Sequence, residues 1–308
     1  KIFPGGTVAL SGLDLEIRRG TVFGLIGPNG AGKTTAIRVL MGLLRPDQGE
    51  ARALGASLWQ AGREVRSRIS YVSQSQQLPG WMNFRDLCRY AGSFYSRWNA
   101  KFAEDLARKW ELSTHRPLAT LSGGEQRKAA LAIALAPEPE LLILDEPAAG
   151  LDPLARRELV QEVIGLLTRQ SGATILFSTH IISDLERVAL EIGILERGRL
   201  VLNRPLDDLQ GSFRRVQVIF PGETAPPRFT IQGARHCSIS GPVVNGVTEY
   251  FDAEHIDALQ RWPGVRVQVF PLSLEEVFLE FCGPHQSEDG PMAIYEPELG
   301  SEPKSVSI

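Results

Sequence analysis

The sequence lacks any apolar run near the roughly 18 residues that cross a bilayer, so no membrane-spanning helix is expected. It also lacks a basic excess. Lys and Arg number 33 against 36 Asp and Glu, a net charge of −3, which argues against a protein held on nucleic acid by bulk electrostatics. It is poor in cysteine, with only three. Cys88, Cys237 and Cys282 lie far apart and show neither metal-ligand spacing nor an even disulfide set, so a reducing cytoplasm is the expected compartment. The first residues carry no signal-peptide pattern. What is present is a chain of 308 residues, 43% hydrophobic, enough for one large domain and a small one.

The chain is organised around Gly27-Pro28-Asn29-Gly30-Ala31-Gly32-Lys33-Thr34, which fits the pattern G-x-x-x-x-G-K-[ST] at every position. Before it, Val22 to Ile26 is an apolar run of buried-strand type. After it, residues 35–44 have helical spacing, with Ile37, Leu40, Met41 and Leu44 on one face. Glycines let backbone N–H groups turn inward around phosphate oxygens, and the following helix N-terminus adds its positive dipole end. Lys33 would then reach the β- and γ-phosphates, and the Thr34 hydroxyl would hold Mg²⁺.

Upstream, Leu13, Leu15 and Ile17 alternate with Asp14, Glu16 and Arg18, the period of a half-buried strand. Phe3 is either an adenine-stacking ring or a core or terminal aromatic. Downstream, β-like pieces end in Ile69 to Val72. Gln74 follows, either reaching Mg²⁺ or a water, or simply solvated. Residues 82 to about 120 become helical and aromatic, with Trp81, Phe84, Phe94, Tyr95, Trp98, Phe102 and Trp110. Most of these rings read as a small hydrophobic core, while Trp81, beside Pro79-Gly80, would alternatively line a partner groove.

Leu121-Ser122-Gly123-Gly124-Glu125 opens a helix running to about Ala136, with Ser122 and Glu125 spaced as a capping box. The Gly-Gly pair also exposes N–H groups to an anion. Leu141 to Leu144 is apolar throughout, as a strand covered on both faces should be. It ends in Asp145-Glu146, at the carboxyl end where a doubly wound sheet keeps its site. Asp145 is a candidate Mg²⁺ carboxylate, and Glu146 a candidate to orient or deprotonate water. Ala173 to Ser178 is another buried strand. His180 follows it, either structural or in contact with a γ-phosphate. From about Asp207 the pattern becomes a small α+β domain. Strands are expected over 215–220, 247–251 and 265–270, and helices over 256–262 and 273–280, the last capped by Ser273. His236 and Cys237, with no second pair, read as structural. Residues 284–308, rich in Pro, Glu and Ser, read as a disordered tail.

In this order and spacing, Gly27 to Thr34, Gln74, Leu121 to Glu125, Leu141 to Glu146, Leu151-Asp152 and His180 resemble the ATP-binding subunit of an ABC transporter over about residues 1–210. Phe94-Tyr95-Ser96-Arg97-Trp98 is similar to a bacterial subgroup of exporter-type subunits, and Leu272 to Leu279 to the accessory C-terminal domain that some of them carry. The resemblance implies an α/β fold, a P-loop NTPase of ABC type with a mixed β-sheet core and an inserted helical subdomain at about 78–135. A small α+β C-terminal domain would occupy 211–283.

The resemblance further implies ATP and Mg²⁺ as cofactors. Phe3 would stack on adenine. Asn29, Gly30, Ala31, Gly32, Lys33, Thr34 and Thr35 would surround the phosphates. Thr34, Gln74 and Asp145 would serve the metal. Glu146, His180 and Gln74 would act in hydrolysis. Ser122, Gly123, Gly124 and Asp152 would serve the contact with a second protomer. Glu125 stands where this signature more often has Gln, and Ala148 where a hydroxyl residue is common. The implied partners are a separate membrane-spanning permease subunit and a second copy or a homologous ATPase subunit. The chain would then sit in the cytoplasm on the inner face of the membrane and drive export, without nucleic acid. One rival is a soluble ABC-type ATPase acting on ribosomes or nucleic acid. It would carry two nucleotide domains or long coiled coils, whereas this sequence has one phosphate loop, no sustained heptads and no basic stripe. The other rival, a regulatory module without turnover, would need a degenerate site, yet Lys33, Asp145, Glu146 and His180 are all present.

Overall fold

Val22–Ile26 is apolar and buried at every position, and it forms β1, the strand that carries the phosphate loop. It lies inside a six-stranded sheet of a computed structural model that describes residues 1–75, 77–169, 172–249 and 253–283. The chain divides into two compact units, Lys1–Leu206 and Asp207 onward.

In the first unit β1 is followed by α1 (Lys33–Leu40), the short α2 (Arg63–Arg66), β2 (Ile69–Val72), α3 (Phe84–Gly92) and α4 (Ala100–Lys109). A 3₁₀ turn at Leu118–Thr120 then leads into α5 (Gly123–Leu135) and β3 (Leu141–Asp145). Next come α6 (Pro153–Arg169), β4 (Thr174–Ser178), α7 (Ile182–Leu185), β5 (Glu191–Glu196) and β6 (Arg199–Pro205). The sheet order is β2-β3-β4-β1-β5-β6. All pairs are parallel except β5 with β6, so the sheet is mixed. β1, β3 and β4 are buried along their whole length, which explains their unbroken apolar sequences.

Because β2, β3, β4 and β1 are adjacent and parallel, their carboxyl ends share one edge. The register puts Asp145 beside Ser178, and Ser178 beside Leu25. That edge is where an open α/β sheet binds ligands. Between β2 and β3 the chain is helical (α3, α4, the 3₁₀ turn and α5). Asn83 and Asn99 cap α3 and α4 by accepting from Asp86 N and Phe102 N. Phe84, Leu106 and Trp110 are buried, while Trp81 is 80% exposed.

Three expectations shift. Residues 13–17 form no strand; the alternation survives as a packing pattern, with Leu13, Leu15 and Ile17 against the core and Asp14, Glu16 and Arg18 outward. The first helix ends at Leu40 rather than 44, because Gly42, at φ +66, breaks the turn. Between α1 and β2 the β-like pieces reduce to one isolated bridge, Ala53 with Ala56.

At the boundary, α8 spans Leu206–Ser212. The second unit holds β7 (Arg214–Ile219), β8 (Ala234–Ser240), β9 (Val243–Thr248), α9 (Ala253–Gln260), β10 (Arg266–Pro271) and α10 (Leu274–Cys282). Its antiparallel sheet runs β10-β7-β9-β8. Phe220, Phe229 and Trp262 meet edge to face in its core. Ser273 and Glu276 form the capping box of α10. The expected strand at 247–251 is instead Val243–Thr248, and Tyr250 and Phe251 lie outside the described residues. The strand β8 was absent from the expectations, because Ala234–Ser240 is largely exposed and shows little apolar alternation. His236 pairs with Glu280 at 3.2 Å, and Cys237 Sγ accepts from Ile231 N. The tail at 284–308 lies outside the described residues.

Candidate functional site

The loop between β1 and α1 is built by close backbone approach. A Cβ at Gly27 would come within 2.3 Å of Leu195 O, and one at Gly32 within 2.5 Å of Ala9 O. Gly30 and Gly32 have φ of 81° and 108°, in the region that side chains avoid. Gly198, in the turn between β5 and β6, braces the loop from outside. Its N–H donates to Ala31 O at 2.8 Å, and its carbonyl accepts from Ser11 N at 2.9 Å. The buried Lys33 ammonium lies within the loop, donating to Gly27 O at 2.7 Å and Pro28 O at 3.3 Å.

This loop opens on a cleft of about 180 Å³. Asn29, Gly30, Ala31, Gly32, Lys33, Thr34 and Thr35 line it, together with Ala9, Gln74 and Glu146. Four stretches of the chain therefore meet there. α1 begins at Lys33, so the N–H groups of its first turn have no acceptor inside the helix and are disposed toward an anion.

At the end of β3, Asp145 is fully buried. Its Oδ1 accepts from Ser178 Oγ at 2.6 Å and Thr34 Oγ1 at 3.3 Å. Its Oδ2 is buried with no hydrogen-bond partner among the described residues. A buried carboxylate oxygen left so is costly, and it matches the oxygen-donor preference of a hard divalent cation. Asp145 and Thr34 thus fit Mg²⁺.

Glu146 is 4% exposed and sits at φ 51°, a left-handed conformation unusual outside glycine. Its N–H donates to Ser178 O, fixing it to β4. Its Oε2 lies 2.7 Å from His180 Nδ1 and 3.4 Å from His180 N. Glu146, just after β3, borders the cleft, and His180, two residues after β4, holds its carboxylate without itself lining the cleft.

Gln74 is exposed in the loop after β2 and borders the cleft. Phe3 is half-buried on a turn closed by its N–H to Thr7 O, and it does not line the cleft; Ala9 does. Ser122, Gly123 and Gly124 also stand apart from the cleft lining, at the start of α5. There Ser122 Oγ accepts from Glu125 N at 3.2 Å, and Glu125 Oε2 accepts from Ser122 N at 2.7 Å. The Ser122 N–H holds the Glu125 carboxyl below its ordinary value. The Glu125 that replaces Gln is thus a cap. Asp152 is exposed and caps α6, accepting from Ala155 N and Leu154 N at 2.9 Å each. The Ala155 N–H is the main cause of its lowered pKa. Ala148 is buried, where a methyl group needs no partner. Ser178 and Ala9 were not singled out from sequence. Ser178 was readable in principle as the polar end of an apolar strand, whereas Ala9 carries no local signal.

Comparison with known proteins points one way. Residues 10–149 match the family described as ABC transporter. The chain is 33% identical to the Nod factor export ATP-binding protein I of Cupriavidus metallidurans, over 91% of this chain and 94% of that protein. It is 37% identical to the daunorubicin resistance ATP-binding protein DrrA3 of Streptomyces coeruleorubidus, over 67% of this chain and 66% of that protein. Among solved structures, the ATP binding subunit of an ABC transporter superposes with a TM-score of 0.61 at 31% identity, covering 66% of this chain and 86% of that one.

Proposed function

This chain belongs to the ABC transporter ATP-binding family, whose members bind and hydrolyse ATP, and from that premise we propose that it powers export through a separate membrane-spanning subunit. The observation that carries the reading is one sheet edge. The phosphate loop, Asp145 with its unpaired oxygen and the Glu146–His180 pair converge there.

Within that edge, the loop N–H groups and Lys33 bind the phosphates of ATP. Thr34 and Asp145 would hold Mg²⁺, with Gln74 reaching toward it from the loop after β2. When bound, Mg²⁺ supplies neutralisation of charge on the phosphate oxygens. Glu146 orients and deprotonates the attacking water. His180 fixes the Glu146 carboxylate and faces the γ-phosphate. This is positioning and charge stabilisation, which is most of what phosphoryl transfer asks of a protein.

Ser122, Gly123 and Gly124 do not border the cleft of their own chain. Two protomers arranged head to tail would bring the start of α5 in each to the cleft of the other, with Asp152 close to the same seam. A Cβ built at Gly124 would lie 4.0 Å from Leu151, so the two segments run close together. ATP then adds contacts that exist only in the closed pair and shifts its equilibrium. Losing the γ-phosphate removes them.

No helix among the described residues is long and apolar enough to cross a membrane, so the cargo path belongs to the partner subunit. The helical segment between β2 and β3 offers the docking surface. Trp81 is 80% exposed there, and the exposed Tyr90 and Phe94 stack edge to face at 5.1 Å. Exposed aromatic groups of this kind suit an interface core. The chain would then sit on the inner face of the membrane.

The test is a mild-detergent pull-down of Glu146→Gln with ATP, with mass spectrometry of what is retained. Recovery of a polytopic membrane protein is the expected result. Recovery of ribosomal or DNA-associated proteins with no membrane subunit overturns the transporter reading.

A further inference from the structure

One contact that the proposed chemistry leaves unused is made by Arg127. It lies on α5, five residues after Ser122, and its side chain is half-buried. Its Nη1 donates to Ser73 O at 3.1 Å and its Nη2 to Gln74 O at 2.8 Å. One planar guanidinium therefore grips two successive carbonyls of the loop after β2. Two bonds from one planar group fix direction as well as distance, which a single donor does not. The grip falls on the backbone of Gln74 itself, a residue that borders the cleft.

The other end of the link is equally short. Gln126 N donates to Ser122 O at 2.9 Å, so Ser122, Gly123 and Arg127 stand on one continuous helical turn and a half. A helix transmits displacement along its axis with little give, rising about 1.5 Å per residue. Moving Gln74 must then move the Ser122–Gly124 end of α5, unless the guanidinium lets go.

We propose that Arg127 is a positioning residue that couples the two nucleotide sites of the dimer. It ties Gln74, which reads the nucleotide of its own chain, to Ser122–Gly124, which reads the nucleotide of the partner subunit. This inference rests on the head-to-tail reading given above. Occupation of one cleft draws Gln74 in, and Arg127 carries the shift to the start of α5, which meets the second nucleotide. The sites then fill and fire cooperatively. Coupling of this kind typically changes affinity about 5- to 150-fold.

The experiment measures ATP hydrolysis by the full chain against ATP concentration, alongside nucleotide binding and thermal melting, for wild type, Arg127→Lys and Arg127→Met. Methionine keeps the stem and removes both donors. Lysine keeps the charge but cannot grip both carbonyls in one plane. The wild type is expected to give a Hill coefficient clearly above 1. Arg127→Met should bring it to about 1 and lower kcat about tenfold, while the affinity for the first nucleotide bound stays within about twofold, since Arg127 does not line the cleft and only the coupling to the second site is lost. Arg127→Lys should fall between them. A residue that merely stabilises the fold would lower the melting temperature and leave the coefficient alone. An unchanged coefficient in Arg127→Met overturns the proposal, and so does a wild-type coefficient of 1. Should Arg127→Met fail to fold, Arg127→Lys decides by the same reading. Absence of hydrolysis in the wild type would instead strike at the proposed function itself.

Discussion

His180 Nδ1 lies 2.7 Å from Glu146 Oε2, across a gap of 34 residues in sequence. Parallel pairing of β3 with β4 brings the two within reach, because it sets Asp145 level with Ser178, and Glu146 and His180 follow within two residues. Glu146 also holds a left-handed backbone at φ 51°, secured by its N–H to Ser178 O. A strained conformation that is pinned from two sides aims a carboxylate with little freedom. Glu146→Gln should therefore lower turnover by at least about 10², the usual worth of a general base, while ATP still binds. Phosphate release and nucleotide binding, measured on the same preparation, check it. Turnover near wild type would remove Glu146 from the role of base.

His180→Ala takes away the partner that fixes this carboxylate. Turnover should fall, but by less than for Glu146→Gln. The double variant should be scarcely worse than Glu146→Gln alone, because groups acting as one unit do not add. Full additivity of the two losses in a cycle of kcat values would show that they work separately.

Lys33→Ala removes an ammonium held between Gly27 O and Pro28 O at the closed end of the loop. Bonds to charged groups contribute about 1.5–3 kcal/mol, so ATP affinity should drop by roughly one to two orders of magnitude. Equilibrium binding of a fluorescent ATP analogue reads this directly. Unchanged affinity would count against phosphate binding by this loop.

Much of this site was legible because its residues sit on local patterns. Val22–Ile26 and Leu141–Asp145 read as buried strands because each is apolar along its length, and polar residues mark where each one ends. Gly27 to Thr34 could be read because backbone curvature demands glycine at set positions. What was not legible depends on contacts across the chain. Arg127 meets Gln74 from 53 residues away, and nothing near it in sequence announces that. Ala9 reaches the cleft only because Gly32 and Gly198 let two backbones close upon it. Leu13, Leu15 and Ile17 gave the right facing and the wrong element, since alternation reports which side is buried and not whether a neighbouring strand is there to pair.

Gly198 supplies a further prediction. It has φ +77°, and a Cβ there would fall 2.6 Å from Ala9 O and 2.7 Å from Leu10 Cα. Both obstacles are backbone, so neither can rotate aside. Gly55 has a similar φ of +80° with nothing nearby. Gly55→Ala should thus cost only backbone strain, about 1–2 kcal/mol. Gly198→Ala should lower the melting temperature further. It should also weaken ATP binding, because the Gly198 N–H braces Ala31 O in the phosphate loop. Equal effects of the two substitutions on both readouts would mean that the brace is unimportant.

Glu140 offers a pH signature away from the site. Its carboxylate takes Arg68 Nε at 2.6 Å and Nη2 at 2.7 Å, with Arg19 Nη2 at 3.1 Å. The Arg68 guanidinium is the main cause that holds its pKa below the ordinary value for Glu, with Arg19 adding to it. A carboxylate lowered on folding stabilises the protein above its unfolded pKa, and that contribution is lost as the pH falls through the lowered folded value. The residue also joins strands through its backbone, donating to Arg68 O and accepting from Thr174 N, and Glu140→Gln leaves those bonds intact. The substitution therefore isolates the charge. At neutral pH it should lower the melting temperature by a few degrees, corresponding to about 1 kcal/mol for a bidentate pair near the surface. Below the ordinary carboxylate range the wild type should lose that margin and the two melting curves should converge. A gap that persists undiminished into acid would mean that Glu140 stabilises by shape and not by charge.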